Sequence, residues 1–383
     1  MNEARPVRVL QIIARMNVGG PAVIVADLMR ELNSEKFQTV LITGYCTDNE
    51  VDFLEEVSTD IPATRIHGLG RSVSVFRDFK SFFVLLGIIR RFQPDVIHTH
   101  TAKAGVLGRL AGLIAYPKAR RVHTFHGHLL HGYFSPLKTK FVVLLERFLA
   151  PITIALIAIG NQVKNDLLTA GVGKPNQYSV IFPGLKELNI QSKASARNQL
   201  SLEADQTYIV FVGRLTQIKR PDRLIEIARH LKANHQKVEL LIAGAGEEFA
   251  ETQELALQES LPIVFLGWRN DIGRILSASD ITILCSDNEG IPLTLIQASQ
   301  AGLPIVSTNV GSVSDIVLNG ESGLLTETNT PSLIKALDEL LANPLKMDYF
   351  GQTGKLRAKN LFSLKGMIDA HENLYSQVIN KVN

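Results

Sequence analysis

YIVFVGRLTQIKRPDRLIEIA, residues 208–228, decides how the chain is folded. An uninterrupted apolar run, Tyr208–Val212, reads as a strand buried on both faces. The run ends in Gly213. Arg214, Lys219 and Arg220 then cluster in a loop, and a helix follows. That is one βα unit, and it starts a second series of such units midway along the chain.

Downstream of it the apolar runs VELLIAGAG (238–246), IVFLGW (263–268), ITILCS (281–286), PIVSTN (304–309) and SGLLTE (322–327) recur, with helical stretches between them. Upstream lies the first series: VRVLQIIA (7–14), TVLITG (39–44), DVIHTH (95–100), RRVHTFHG (120–127) and ITIALIAIG (152–160), closed by SVIFPG (179–184). The segment 185–202 is polar and reads as a linker. LIKALDELLANP reads as a helix stopped by Pro344, and residues 363–381 as a last helix. The pattern predicts an α/β chain of two tandem Rossmann-like, doubly wound parallel-sheet domains, residues 1–183 and 184–362. A terminal helix, 363–383, reaches back to the first domain. Ligands of such folds sit outside the carboxyl ends of the strands, so the expected site is an inter-domain cleft.

Composition agrees. With 383 residues, 45% hydrophobic and 20% charged, the chain is a folded protein of two or three domains rather than a disordered one. Its start, MNEARPVRVLQII, lacks the layout of a secretory leader. The most apolar run, FLAPITIALIAIG, is too short to span a bilayer and is interrupted by Pro151. Cys46 and Cys285 both fall in apolar runs, which predicts buried free thiols and fits a reducing cytoplasm. The net charge of +3 is unevenly spread. Residues 1–183 carry 21 Lys and Arg against 14 Asp and Glu, and residues 184–383 carry 19 against 23. FRDFKSFFVLLGIIRRF (76–92) and LKTKFVVLLERFL (137–149) mix cations with apolar residues at helical spacing. They fit either an anionic membrane face or plain packing on the sheet. No nucleic-acid-binding module is recognisable.

Four segments carry candidate chemistry. In SDNEGIPLTLIQASQAG (286–302) a strand hands over to a helix near Pro292. Glu289 stands at that handover, with Gly290, Ile291, Pro292 and Leu293 behind it and Gln297 two turns on. Free amides at a helix start can hold phosphate, and Glu289 can accept sugar hydroxyls; the alternative is an acid that merely suits the helix dipole. Arg214 and Lys219, after Gly213, can neutralise a departing diphosphate, or be a solvated loop. In MNVGGP (16–21), Gly19 and Gly20 let backbone approach a ligand. Six histidines, His98, His100, His123, His126, His128 and His131, crowd the strand ends; they suit contact with a sugar or the handling of a proton, and His126 is the best placed. Zinc among them is a weaker reading, with no cysteine near. Asp287 and Glu289 look like an acidic metal pair, but the nearby cations make a metal unnecessary.

Together these segments, with THTAKAGVLGRLAG (99–112), HTFHGH (123–128), LIAGAGEE (241–248), FLGWRNDI (265–272) and AGLPIVSTNVGSVSDIV (301–317), resemble the retaining glycosyltransferases of family 4, of GT-B fold, and most of all its capsular and exopolysaccharide branch. The resemblance spans nearly the whole chain. It implies a UDP-sugar as donor, a lipid-linked or glycan acceptor, no metal and no cofactor, and front-face substitution. Glu289 would hold the donor sugar and Gln297, where the family has Glu, the ribose. Arg214 and Lys219 would hold the diphosphate, His126 the sugar, Gly19 and Gly20 phosphate and acceptor. Trp268 and Arg269 would border the base. Ser314–Asp315 stands where the family has Pro-Glu. The rival readings are a UDP-sugar epimerase and a non-catalytic nucleotide-sugar-binding partner of another transferase. The expected location is the cytoplasm, at the inner face of the plasma membrane.

Overall fold

The computed structural model of the chain describes residues 5–47, 50–70, 72, 74–127 and 136–381. It forms two compact units, Met1–Gly184 with Leu364–Asn383, and Leu185–Ser363. His128 and His131 lie outside the described residues.

The first unit runs β1 (Val7–Ile13), α1 (Gly20–Glu31), β2 (Phe37–Thr43), α2 (Phe53–Glu56), β3 (Ala63–Arg65), α3 (Val75–Phe92), β4 (Val96–His100), α4 (Ala102–Ala115), β5 (Arg120–Phe125), α5 (Pro136–Leu149), β6 (Ala155–Ala158), α6 (Asn161–Thr169) and β7 (Tyr178–Val180). The second runs α7 (Lys193–Gln199), β8 (Thr207–Val212), α8 (Pro221–Asn234), β9 (Val238–Ala243), α9 (Phe249–Gln258), β10 (Ile263–Gly267), α10 (Ile272–Ala278), β11 (Ile281–Leu284), α11 (Leu293–Ala301), β12 (Ile305–Thr308), α12 (Val313–Ile316), β13 (Gly323–Thr326), α13 (Thr330–Leu341) and α14 (Pro344–Leu361). The last helix, α15 (Leu364–Asn380), belongs to the first unit.

Both sheets are parallel. Their orders are β3-β2-β1-β4-β5-β6-β7 and β10-β9-β8-β11-β12-β13. Each sheet reverses direction of growth once, between β1 and β4 in the first and between β8 and β11 in the second. Those are the switch points where doubly wound sheets leave a crevice at their carboxyl edges. The strands are apolar on both faces because helices cover both. On one face of the first sheet Val9, Val96, Val122 and Ile157 pack beneath Met367, Leu374, Tyr375 and Val378 of α15. On the other, Leu10, Ile12 and Ile97 pack beneath Leu85, Leu86 and Ile89 of α3 and Ala104 and Ala111 of α4.

A fully buried ion pair fastens α4 to α5: Arg109 Nη2 donates to both Glu146 carboxylate oxygens at 2.7 Å. Such a pair adds little over an apolar contact but is costly to break in half.

Some elements differ from the sequence reading. The polar segment 185–202 contains α7, capped by Ser192, whose hydroxyl accepts from the Ser195 amide. Pro344 does not merely stop a helix; with Asn343 as cap it starts α14. Cys285 is buried as expected, whereas Cys46, just past the end of β2, is only half-buried. Partial burial first, and neighbouring Asp52 second, push its thiol up to about 12.

Candidate functional site

In the second unit, β8 and β11 deliver their loops to the two sides of the switch point. Lys219, from the loop after β8, forms an ion pair with Glu289, from the turn after β11. Glu289 is only 6% exposed, and Ser286 Oγ donates to the same carboxylate oxygen at 2.6 Å. The backbone joins the two loops as well: the Asp287 amide donates to the Ile218 carbonyl at 2.9 Å. Arg214 is exposed and has no hydrogen bond or ion pair with another described residue. Arg220 is committed elsewhere. Its guanidinium holds Asp222 and Asp287, which raise its pKa, and Arg223 also reaches Asp287. Asp287 and Glu289 therefore face different cations and do not form a shared acidic pair.

Two glycines set these loops. Gly311 has φ +55, and a Cβ there would lie 1.8 Å from the Glu289 carbonyl oxygen; its neighbour Ser312 donates its amide to the Gly290 carbonyl at 2.9 Å. Gly244, after β9, presses on Gly213 in the same way, a Cβ falling 1.8 Å from the Gly213 oxygen. Only glycine fits such contacts. Behind Glu289, Ile291 is buried and Pro292 occupies the cap position of α11, which has no side-chain cap. An uncapped helix start beside cations is a place for an anion. Leu293 opens that helix and Gln297 lies further along it, half-buried. Trp268, 52% exposed, and Arg269, paired with Asp271, sit after β10, three strands from β11 along the same carboxyl edge.

In the first unit the Gly19–Gly20 turn follows β1 and leads into α1. It is braced from below: Val18 and Phe53 amides donate to Val51 and Met16 carbonyls. Above Gly19 a Cβ would meet only the Asn17 oxygen, at 3.9 Å. After β4, Thr101 holds φ +67 and ψ 154, a conformation almost reserved for glycine, at a cost of about 1–3 kcal/mol. Its hydroxyl accepts from the Ala14 amide at 3.2 Å.

The histidines divide. His98, His100 and His123 are buried inside the sheet, not lined up on an open edge as their crowding suggested. Burial drives all three pKa values well below the ordinary range. His123 faces the α3–α4 side, on Thr99 Oγ1 at 2.8 Å. His126, past the end of β5, is half-buried and bonded through Nε2 to His100 Nδ1 at 2.8 Å. Burial, then His371, lowers its pKa to about 3, so it is neutral at physiological pH. Its Nδ1 is buried and has no hydrogen-bond partner among the described residues.

Among the described residues, one group has metal-ligand geometry: His230, His235 and Asp338. Both rings meet Asp338 Oδ1 at 2.9 Å. They lie at the far end of α8 from Lys219, roughly 20 Å away along a 14-residue helix, and Asn234 already bonds His230 Nδ1. The group is a hydrogen-bonded strap between α8 and α13, apart from the switch-point loops.

Sequence reasoning missed Ser286, Gly311 and Ser312, which hold Glu289 in place. Only the glycine carried a signal, as an isolated Gly between a strand and a helix.

Two family profiles match the chain: "Glycosyltransferase Family 4" over residues 18–186 and "Glycosyl transferases group 1" over residues 192–357. The Escherichia coli UDP-Gal:alpha-D-GlcNAc-diphosphoundecaprenol alpha-1,3-galactosyltransferase is 30% identical over 372 residues, 91% of this chain and 92% of its own length. The capsular polysaccharide biosynthesis glycosyltransferase CapM of Staphylococcus aureus is 23% identical over 316 residues, 80% of this chain and 83% of its own. Among solved structures, Anabaena HepE in complex with UDP and glucose superposes with a TM-score of 0.81 at 19% identity, covering 97% of this chain and all of that one. The chain belongs to the family-4 glycosyltransferases, of GT-B fold.

Proposed function

We propose that this protein transfers a sugar, with retention of configuration and without a metal, from a UDP-sugar to a lipid-linked glycan acceptor during cell-surface polysaccharide synthesis, on the cytoplasmic face of the membrane. The observation that carries the reading is the Lys219–Glu289 pair across the switch point, with Arg214 exposed earlier in the loop of Lys219 and unpaired among the described residues. A carboxylate held by one cation, with a second exposed cation on that cation's own loop, suits a ligand that brings both hydroxyls and a diphosphate. The E. coli relative's name, with UDP-Gal and a diphosphoundecaprenol-linked acceptor, supplies a parallel.

The second unit takes the donor. Arg214, Lys219 and the start of α11 neutralise the diphosphate; Trp268 and Arg269 border the base, and Gln297 reaches the ribose. Glu289 accepts from the sugar's hydroxyls. The first unit takes the acceptor, with Gly19 and Gly20 at its backbone, and His126 meets a sugar hydroxyl. In the reaction the acceptor oxygen bonds to the anomeric carbon as the bond to the UDP oxygen breaks on the same face. The acceptor's proton passes to that phosphate oxygen, and the cations stabilise the charge as it develops. Glu289→Ala lowers turnover at least about tenfold, the equivalent of roughly 1.4 kcal/mol of transition-state stabilisation. Product analysis with donor and a diphosphate-lipid acceptor checks this. An unchanged turnover number contradicts the role. Donor binding without any transfer favours the partner-protein reading, and epimerised UDP-sugar the epimerase.

The membrane face is formed by α3 and α5, which flank α4 on one side of the sheet. α3 exposes Phe76, at 89%, with Phe79 and Phe83, beside Arg77, Lys80, Arg90 and Arg91. α5 exposes Leu137, at 82%, with Phe141, Leu144 and Phe148, beside Lys138, Lys140 and Arg147. The acids of these helices are already paired, Asp78 with Lys103 and Glu146 with Arg109. The inner stripe of α3, Leu85, Leu86 and Ile89, packs on the sheet, and α5 buries Glu146 against Arg109 of α4; the outer apolar residues stay exposed. An apolar surface flanked by cations that form no ion pair with another described residue fits anionic lipid. No described helix is long and apolar enough to cross a membrane. Flotation with anionic vesicles at low salt carries the protein, and the double variant Phe76→Ser with Phe141→Ser remains behind. Absence of flotation of the unaltered protein removes the membrane face.

A further inference from the structure

A chain of hydrogen bonds runs through the first unit from α15 to His126. Tyr375 Oη accepts from Gln11 Nε2 at 3.0 Å and meets His98 Nδ1 at 2.6 Å. His98 Nε2 meets Thr124 Oγ1 at 2.7 Å. On the other side of Gln11, its Oε1 meets His100 Nε2 at 2.8 Å, and His100 Nδ1 meets His126 Nε2 at 2.8 Å. The residues come from β1, β4, β5, the loop after β5 and α15. Gln11, His98, His100 and Tyr375 are all buried.

Each link fixes the next, because a neutral imidazole has one N–H and one lone pair. Gln11 points its amide nitrogen at Tyr375 and its oxygen at His100, so His100 carries its proton on Nε2. His100 Nδ1 is then an acceptor, and His126 must donate to it from Nε2. The proton of His126 is thereby committed, and its Nδ1, buried and unpaired among the described residues, is a bare lone pair. His371, the other ring nearby, stands outside the relay: its Nδ1 is spent on the Met367 carbonyl at 2.8 Å. The same chain with the Gln11 amide turned over would leave a buried N–H unpaired on His126 instead. Orphaned buried donors are rarer than orphaned acceptors, which favours the first polarity.

We propose that Gln11 and His100 are positioning residues that hold His126 as its Nε2–H tautomer, so that Nδ1 is presented as a fixed acceptor for a hydroxyl of the transferred sugar. The proposal rests on the reading of His126 as the substrate-contacting histidine. It gives α15, which crosses back to the first unit, a part in the site through Tyr375. A preset acceptor needs no reorganisation when the hydroxyl arrives. It also selects substrates that donate at that position over those that lack the group, since the unpaired lone pair is satisfied only by a donor.

The test joins a spectroscopic and a kinetic measurement. In protein labelled with 15N at histidine, His126, assigned by comparison with His126→Asn, shows a protonated Nε2 and a bare Nδ1 in the unaltered chain. A protonated Nδ1 there overturns the proposal without need of any variant. Gln11→Met removes both links at similar volume, and Tyr375→Phe removes only the hydroxyl that orients Gln11. Gln11→Met mixes the two tautomers of His126 and lowers kcat/KM for transfer up to about tenfold, the reach of one neutral hydrogen bond. Tyr375→Phe does so less. The affinity for UDP, which lacks the transferred sugar, stays unchanged in both. Unmoved tautomer and unmoved kcat/KM in Gln11→Met overturn the proposal. Failure of the unaltered protein to bind UDP would instead count against the glycosyltransferase site itself, leaving the tautomer measurement to judge the relay alone.

Discussion

The carboxyl edges of the two sheets share a topology and differ in chemistry. At the switch point of the second unit the groups are charged and run from the buried Glu289 and Arg223 to the exposed Arg214: Lys219 pairs with Glu289, Arg220 and Arg223 with Asp287, and Arg214 with no other described residue. At that of the first they are neutral and buried: Gln11, His98, His100 and Tyr375, with His126 at the rim. On the proposed reading both edges meet hydroxyls, through Glu289 and His126, and only the charged edge meets the diphosphate. A diphosphate must be met by cations, and Arg214, exposed and in no ion pair with another described residue, has no carboxylate to leave, whereas Lys219 is held by the buried Glu289. A sugar hydroxyl is read by a lone pair in a fixed place, which a dry, fully bonded network supplies.

The contrast makes the first unit the acid-sensitive one. Its buried histidines are neutral in the folded state, with His126 lowered to about 3 and His371 to about 4, and His98, His100 and His123 well below the usual value. The unfolded chain takes up protons at these rings below about pH 6.5, while the folded chain resists until far lower. Their contribution is intact above the unfolded pKa and is lost as pH falls from about 6.5 towards 3–4. We expect the thermal midpoint to drop steeply across that window, and His98→Asn with His123→Asn to shallow the slope. A flat midpoint down to pH 4 contradicts neutral burial. The next largest effect tests the fully buried charged pair under this neutral surface: Glu146→Ala, leaving Arg109 alone in the core, costs about 3–5 kcal/mol in denaturant unfolding, and Arg109→Met with Glu146→Leu recovers most of it. Equal cost in the single and double variants contradicts that account.

The parallel strands were legible in the sequence because strands buried on both faces read as unbroken apolar runs, as Tyr208–Val212 and Ile281–Leu284 do. β3 was not, being three residues, one of them exposed. α7 was hidden by its polar composition, KASARNQ, which carries no apolar stripe. Of the site, Glu289, Lys219 and Arg214 were legible as residue types at strand ends. Their engagement was not: nothing in spacing tells that Lys219 takes Glu289 while Arg220 takes Asp222 and Asp287. Histidine crowding pointed to the strand ends of the first unit, but period-2 alternation alone could not say that His98 and His100 face α15 while His123 faces α3 and α4. The tautomer relay depends on Gln11 and Tyr375, which are 364 residues apart.

The smallest of these effects is also the most direct. Calorimetric titration of the protein with UDP, with no metal added, reads the charged edge alone, without acceptor or membrane. Selective binding of UDP over GDP and ADP is expected. Arg214→Ala should weaken it by about 1.5–3 kcal/mol, roughly ten- to a hundredfold, the value of a hydrogen bond to a charged group. Absence of UDP binding, or UDP binding that Arg214→Ala leaves untouched, would contradict the placement of the donor diphosphate at the switch point of the second unit.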